Sequence, residues 1–81
     1  MSTVYSKATE IILDELDVLA RLLGLDVVET TGFPTARVRV AVDGKHVVIT
    51  KQGSEFLATD VLPDVPMTFV GGAMFTYRLE L

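Results

Sequence analysis

Hydrophobic and polar positions change their period once, just past residue 24. From residue 3 to residue 23 the apolar side chains recur at helical spacing. At 100° per residue, Tyr5, Ala8, Ile12, Leu16, Leu19 and Leu23 fall on one central stripe. Val4, Ile11, Val18 and Leu22 widen it on one side, and Leu13 and Ala20 on the other. The apolar arc spans roughly 200°, against the ~100° that a helix laid on a single surface requires. The polar strip is narrow: Lys7, Glu10, Asp14, Asp17 and Arg21, with Asp17 and Arg21 spaced to pair at i, i+4. Glu15 is the one charge inside the apolar arc. Ser2 or Thr3 suits the N-cap, and Gly24 stands where a glycine in the left-handed conformation ends a helix.

Beyond Gly24 the period becomes two. Residues 25–29 read as a short strand, and Thr30-Thr31-Gly32-Phe33-Pro34 as a loop, with Phe33 held extended by the proline after it. Residues 36–51 are two β-branched runs around Asp43-Gly44, a pair that tolerates positive φ and matches the twist of a two-residue hairpin. With that loop, Val42 faces Lys45, Val40 faces Val47 and Val38 faces Ile49, all on the face assigned to the core. Arg37, Arg39, Ala41, His46, Val48 and Thr50 share the other face. A turn at Gln52-Gly53 returns residues 55–60 as a strand, with Phe56 and Ala58 on the core face, Leu57 beside Val48 and Thr59 beside His46.

Pro63-Asp64-Val65-Pro66 breaks the sheet, because neither proline donates to a ladder. The last residues alternate again, Phe75, Tyr77, Leu79 and Leu81 against Met74, Thr76, Arg78 and Glu80, which predicts a half-buried strand running to residue 81. Gly71-Gly72 before it reads equally as a hairpin turn or as a bulge. The expected fold is α+β. A single domain, residues 1–81, packs its N-terminal amphipathic helix on one face of a four- or five-stranded antiparallel sheet, a meander at its centre.

Composition adds one pressure to this picture. Of 81 residues 49% are apolar and the mean hydropathy is +0.45. That is more apolar surface than one small core easily hides. From Val65 to Tyr77 no side chain is charged, which makes the segment an aggregation hazard unless it is buried or paired. Thirteen residues are too few to span a bilayer as a helix. The polar start of the chain, with Asp14 interrupting the first apolar run, does not resemble a signal peptide. The expectation is therefore a protein that meets company: a second copy of itself or another protein, and no membrane. The expected interface is Val4, Ile11, Glu15, Val18 and Leu22 on the helix with Met67, Phe69 and Met74 on the sheet.

Candidate chemistry is sparse. There is no cysteine, hence no disulfide, thiolate ligand or thiol nucleophile, in keeping with the cytoplasm or the inside of a viral particle. His46 is the only histidine and has no carboxylate directly opposite, so a Ser-His-acid arrangement lacks support. Glu10, Asp14 and Asp17 share a helix face but lack the loop and glycine of a calcium site. Gly71-Gly72 has no phosphate-binding context. No catalytic residue, metal or cofactor is expected.

A formal charge of -4 and a pI near 4.7 argue against binding nucleic acid through its backbone. One alternative remains: Arg37, Arg39, His46 and Arg78 on the outer sheet face could hold an anionic small molecule or a nucleic-acid strand. Glu55 and Glu80 share that face and could neutralise the arginines. The leading expectation is a non-enzymatic interaction or assembly subunit, such as a virion component or a mobile-element-encoded inhibitor of a host complex.

Overall fold

A computed structural model describes residues 4–32, 35–72 and 75–81, with side chains from Ala8 onward. The N-cap expected at Ser2 or Thr3, the Phe33-Pro34 loop, and Met74 lie outside the described residues, as do the side chains of Val4 and Tyr5. The elements are α1 (Val4–Leu22), β1 (Asp26–Thr31), β2 (Arg37–Val42), β3 (Lys45–Gln52), β4 (Glu55–Ala58), β5 (Met67–Gly71) and β6 (Thr76–Leu79). The fold is α+β, as expected. The sheet has six antiparallel strands rather than four or five, in the order β1-β2-β3-β4-β6-β5.

Helix α1 ends where the sequence places its stop. Gly24 takes φ 74°. The Leu25 N–H donates to the Ala20 carbonyl at 2.9 Å and the Gly24 N–H to the Arg21 carbonyl at 3.0 Å, the paired bonds of a Schellman cap. Asp17 and Arg21 form the expected ion pair at 3.1 Å. Leu16, Leu19 and Ala20 are buried against the sheet, with Ile12, Leu13 and Leu23 packed beside them. Ala8, on the same stripe, is exposed.

The central hairpin has the expected register: Val42 opposite Lys45, Val40 opposite Val47 and Val38 opposite Ile49. Asp43 (φ 49°) and Gly44 (φ 81°) are both left-handed, the type I′ condition. Val38, Val40, Val47 and Ile49 are completely buried and form the floor under α1.

The next hairpin departs from expectation. Gln52 pairs with Glu55, so the loop is Gly53-Ser54 rather than Gln52-Gly53. Only Gly53 has positive φ there, at 63°, which is the type II′ arrangement. Leu57 therefore lies opposite Thr50, and it is Thr59 that meets Val48, through backbone and hydroxyl bonds of 3.1 Å each. Thr59 is thus not the neighbour of His46. The face assignments survive because the slip is an even number of residues.

Strands β1 to β4 form the meander. Then the order breaks: β6, not β5, pairs with β4, and β5 lies outside β6 at the edge. Both β4 and β5 are antiparallel to β6 and so run parallel to each other, joined by residues 59–66. Pro63 and Asp64 occupy the centre of a turn there, with Asp64 at φ 63° and the Val65 N–H donating to the Leu62 carbonyl at 3.4 Å. Leu62 and Val65 are buried and extend the core. The last strand stops at Leu79, short of residue 81; Phe75 and Leu81, which alternation would place inward, are 72% and 70% exposed. Gly71 settles the two readings of the glycine pair by satisfying both. It closes the β5–β6 ladder opposite Thr76 after a bulge at Val70, and Gly72 leads into the connection.

Candidate functional site

Helix α1 lies over β1, β2 and β3 only. The β4-β6-β5 half of the same sheet face has no helix on it, and its side chains are apolar: Phe56, Ala58, Tyr77, Leu79, Phe69 and Met67, placed on that face by the register. Phe69 packs edge-on against Tyr77 at 5.4 Å between ring centroids, and tilted against Phe75 at 6.3 Å. Ala58 and Leu79 are buried, but Phe69 is 55% exposed.

The exposed flank of α1 borders this half. Ile11 is 55%, Val18 54% and Leu22 80% exposed. With Glu15, Leu19 and Phe56 they line an open groove of about 470 Å³ between the helix and the floor at β4. The wide apolar arc read from the sequence therefore has two parts. The Leu13–Ala20 side is covered by the sheet, and the Ile11–Val18–Leu22 side is left to solvent.

Glu15 stands at the inner wall of this groove. Its Oε2 lies 2.6 Å from the Lys51 Nζ of β3, angled away from hydrogen-bond geometry, so the contact is an ion pair without a directed hydrogen bond. The Lys51 ammonium also sits 5.9 Å from the Phe56 ring centroid. Glu15 and Lys51 thus neutralise each other across the groove's floor. That pairing could not be read from the helix alone, because it depends on where β3 runs.

The expected interface residues divide accordingly. Ile11, Glu15, Val18 and Leu22 share one groove. Met67 is half-buried against the core, and Phe69 lies at the far end of the same sheet face. Phe56, Tyr77 and Phe75 belong to this surface and were missing from the sequence expectation. Their alternation assigned them to a covered core, and nothing local tells that a helix reaches only three strands.

The outer sheet face has a different character. Arg39 Nε pairs with Glu29 Oε1 at 3.1 Å, and Arg78 pairs with Glu55 at 3.3 Å and Glu80 at 3.4 Å. Arg37 and Arg39 line a small hollow of about 130 Å³ together with Glu29, so its wall carries a carboxylate beside the arginines. Arg78 lies three strand spacings from Arg39, ~14 Å across the sheet. His46 is exposed opposite Ala41. The four basic residues do not converge on one site.

Two carboxyls near strand ends are tuned. The Asp60 carboxyl is held below its ordinary range by the hydrogen bond from Lys45, 3.0 Å, and by the Val61 N–H at 2.7 Å. Glu80 is likewise lowered, first by the Thr68 hydroxyl and then by Arg78. Both are solvent-facing structural pairs near strand ends. Among the described residues no group of three or more His, Asp or Glu converges as a metal would require, and no helix is long and apolar enough to cross a membrane.

In comparison with known proteins the chain matches no family model, no curated protein and no solved structure. The class that fold and surface define is a small α+β domain with a half-covered sheet, and its function has to be argued from that surface.

Proposed function

We propose that this protein is a non-enzymatic assembly subunit that works by contact, through the groove of α1 and the exposed aromatic side chains at the β5 end of the sheet. One observation carries the reading: Ile11, Val18 and Leu22 are all about half exposed or more around a groove floored by Phe56, and Phe69 and Phe75, in contact with each other, are as exposed at the far end of the sheet. Monomers seldom leave contiguous apolar patches of this kind unattended. The surface combines aromatic and aliphatic anchors with one internally neutralised ion pair, the makeup of an interface centre rather than of its rim. The partner is a second copy or another protein, in the cytoplasm or within a viral particle. A virion component and a mobile-element-encoded inhibitor of a host complex are two settings that such a subunit would suit.

The anion-binding alternative has less support, because Arg39 and Arg78 are spent on Glu29, Glu55 and Glu80. A Val18→Asp/Leu22→Asp variant tests the proposal by light scattering and solubility. Both residues are exposed, so the fold is expected to persist while assembly weakens at least tenfold. Unchanged mass, solubility and partner capture in that variant would overturn the reading.

A further inference from the structure

We infer that two copies of this chain pair through the open edge of β5, antiparallel about a two-fold axis at Thr68. The inference rests on the reading of the protein as an assembly subunit and names its partner.

Strand β5 is the least sheltered element of the sheet. Its three central residues, Thr68, Phe69 and Val70, are exposed, although two of them are large and apolar. The Glu80 N–H donates to the Pro66 carbonyl at 2.8 Å. In an antiparallel ladder the bonded positions alternate, so Thr68 also faces β6. The N–H and C=O groups of Met67 and Phe69 therefore point out from the free edge, where nothing in the sheet meets them.

A second β5 satisfies those four groups in one register. Met67 of each copy exchanges two backbone bonds with Phe69 of the other, and the two Thr68 residues face each other at the axis. Met67 and the partner's Phe69 then stand opposite each other on the core side of the sheet, a pairing made twice, while the Met67 sulfur keeps the Leu62 N–H at 3.2 Å. The aromatic half of one sheet face continues into that of the partner.

Charge and geometry select a second copy over other arrangements. The molecule carries a net charge of -4, so copies repel in general, but β5 holds no charged residue. The opposite edge, β1, carries Asp26 and Glu29 and a bulge at Val28, devices that prevent strand addition. With β1 closed, β5 cannot join head-to-tail into a filament. The contact left to it is isologous, which closes as a dimer.

The absence of cysteine makes the test direct. Thr68 faces its own copy in a non-hydrogen-bonded pair, where Cα atoms lie ~4.5 Å apart, inside disulfide range. The expected results are a dimeric wild type by light scattering and a covalent dimer of Thr68→Cys on mild oxidation. Ser54→Cys, equally exposed in the β3–β4 turn, stays monomeric on a non-reducing gel. Phe69→Lys, a charge of the kind that blunts natural edges, weakens the dimer at least tenfold with an unchanged circular dichroism spectrum. A wild type that is monomeric at all concentrations, or a dimer in which Thr68→Cys crosslinks no better than Ser54→Cys, overturns the pairing. If that unlocked dimer dissociates in Val18→Asp/Leu22→Asp, assembly through the groove stands while the β5 edge is excluded. A β5 edge occupied instead by an extended peptide of another protein would appear as a monomer that Phe69→Lys frees from that partner, and would also overturn self-pairing.

Discussion

Gly32, just past the end of β1, passes close to the helix. A Cβ there would come 2.9 Å from the Thr9 Cγ2 and 3.4 Å from the Leu13 Cδ1. Space, not backbone conformation, demands the glycine, since its φ is not left-handed. Thr9 cannot easily yield, because a β-branched side chain in a helix has restricted χ1 freedom. Gly32→Ala is expected to cost about 1–3 kcal/mol in urea unfolding, the range of overpacked sites. Thr9→Ser, which removes the offending methyl, should recover most of that loss. A Gly32→Ala protein as stable as wild type would mean that the β1 end moves freely. Gly24 and Gly44 were legible in the sequence because their task is local: each ends or turns an element whose pattern surrounds it. Gly32 was read only as part of a loop, because its constraint comes from residues about twenty positions earlier.

At the scale of elements, α1 carries two kinds of leucine. Leu16 is completely buried in the core, whereas Leu22, six residues on, is 80% exposed. Leu16→Ala is expected to destabilise by about 2–5 kcal/mol, as truncations of large buried aliphatics do. Leu22→Ala should change the stability of the isolated chain by no more than about 0.5 kcal/mol. Comparable losses for the two would mean that the flank is covered in solution even without a partner. The period of the helix, its stop and the first hairpin could be read ahead of the structure because β-branched runs and an Asp-Gly turn specify register together. The second hairpin slipped because both Gln52-Gly53 and Gly53-Ser54 offer a glycine to a two-residue loop. The edge position of β5 was not legible at all. Alternation states which face a side chain takes and is silent on which strand it lies beside.

Across the whole molecule, ion pairs tie strand ends that hydrophobic contacts leave loose. Lys45 opens β3 and Asp60 follows the end of β4, and their 3.0 Å contact spans the two. The Asp60 carboxyl sits below its ordinary range, so its ionised form favours the folded state. That contribution is complete above the unfolded carboxylate pKa and is lost as pH falls through the lower folded value. Thermal melts between pH 5 and 2.5 should therefore fall more steeply for wild type than for Asp60→Asn, with the curves converging at the acid end. Parallel curves would show that the pair adds nothing to stability. The thin polar surface follows from the same economy of charge. Besides Glu15–Lys51 and Lys45–Asp60, the charges of the strands lie on the outer sheet face and those of the helix on its polar strip, and the helix-side positions of β5 and β6 are left apolar.

The order of strands also sets the order in which the protein can be completed during synthesis. Strands β1 to β4 and the helix can assemble as they emerge, each new strand adding beside the last. Then β5 emerges with no ladder to join, because its only neighbour in the sheet is β6, which follows it. Until β6 arrives, β4 is an unfinished edge and β5 an apolar strand adrift, both open to any nascent chain nearby. The sheet is finished by insertion of its last strand between two that are already waiting.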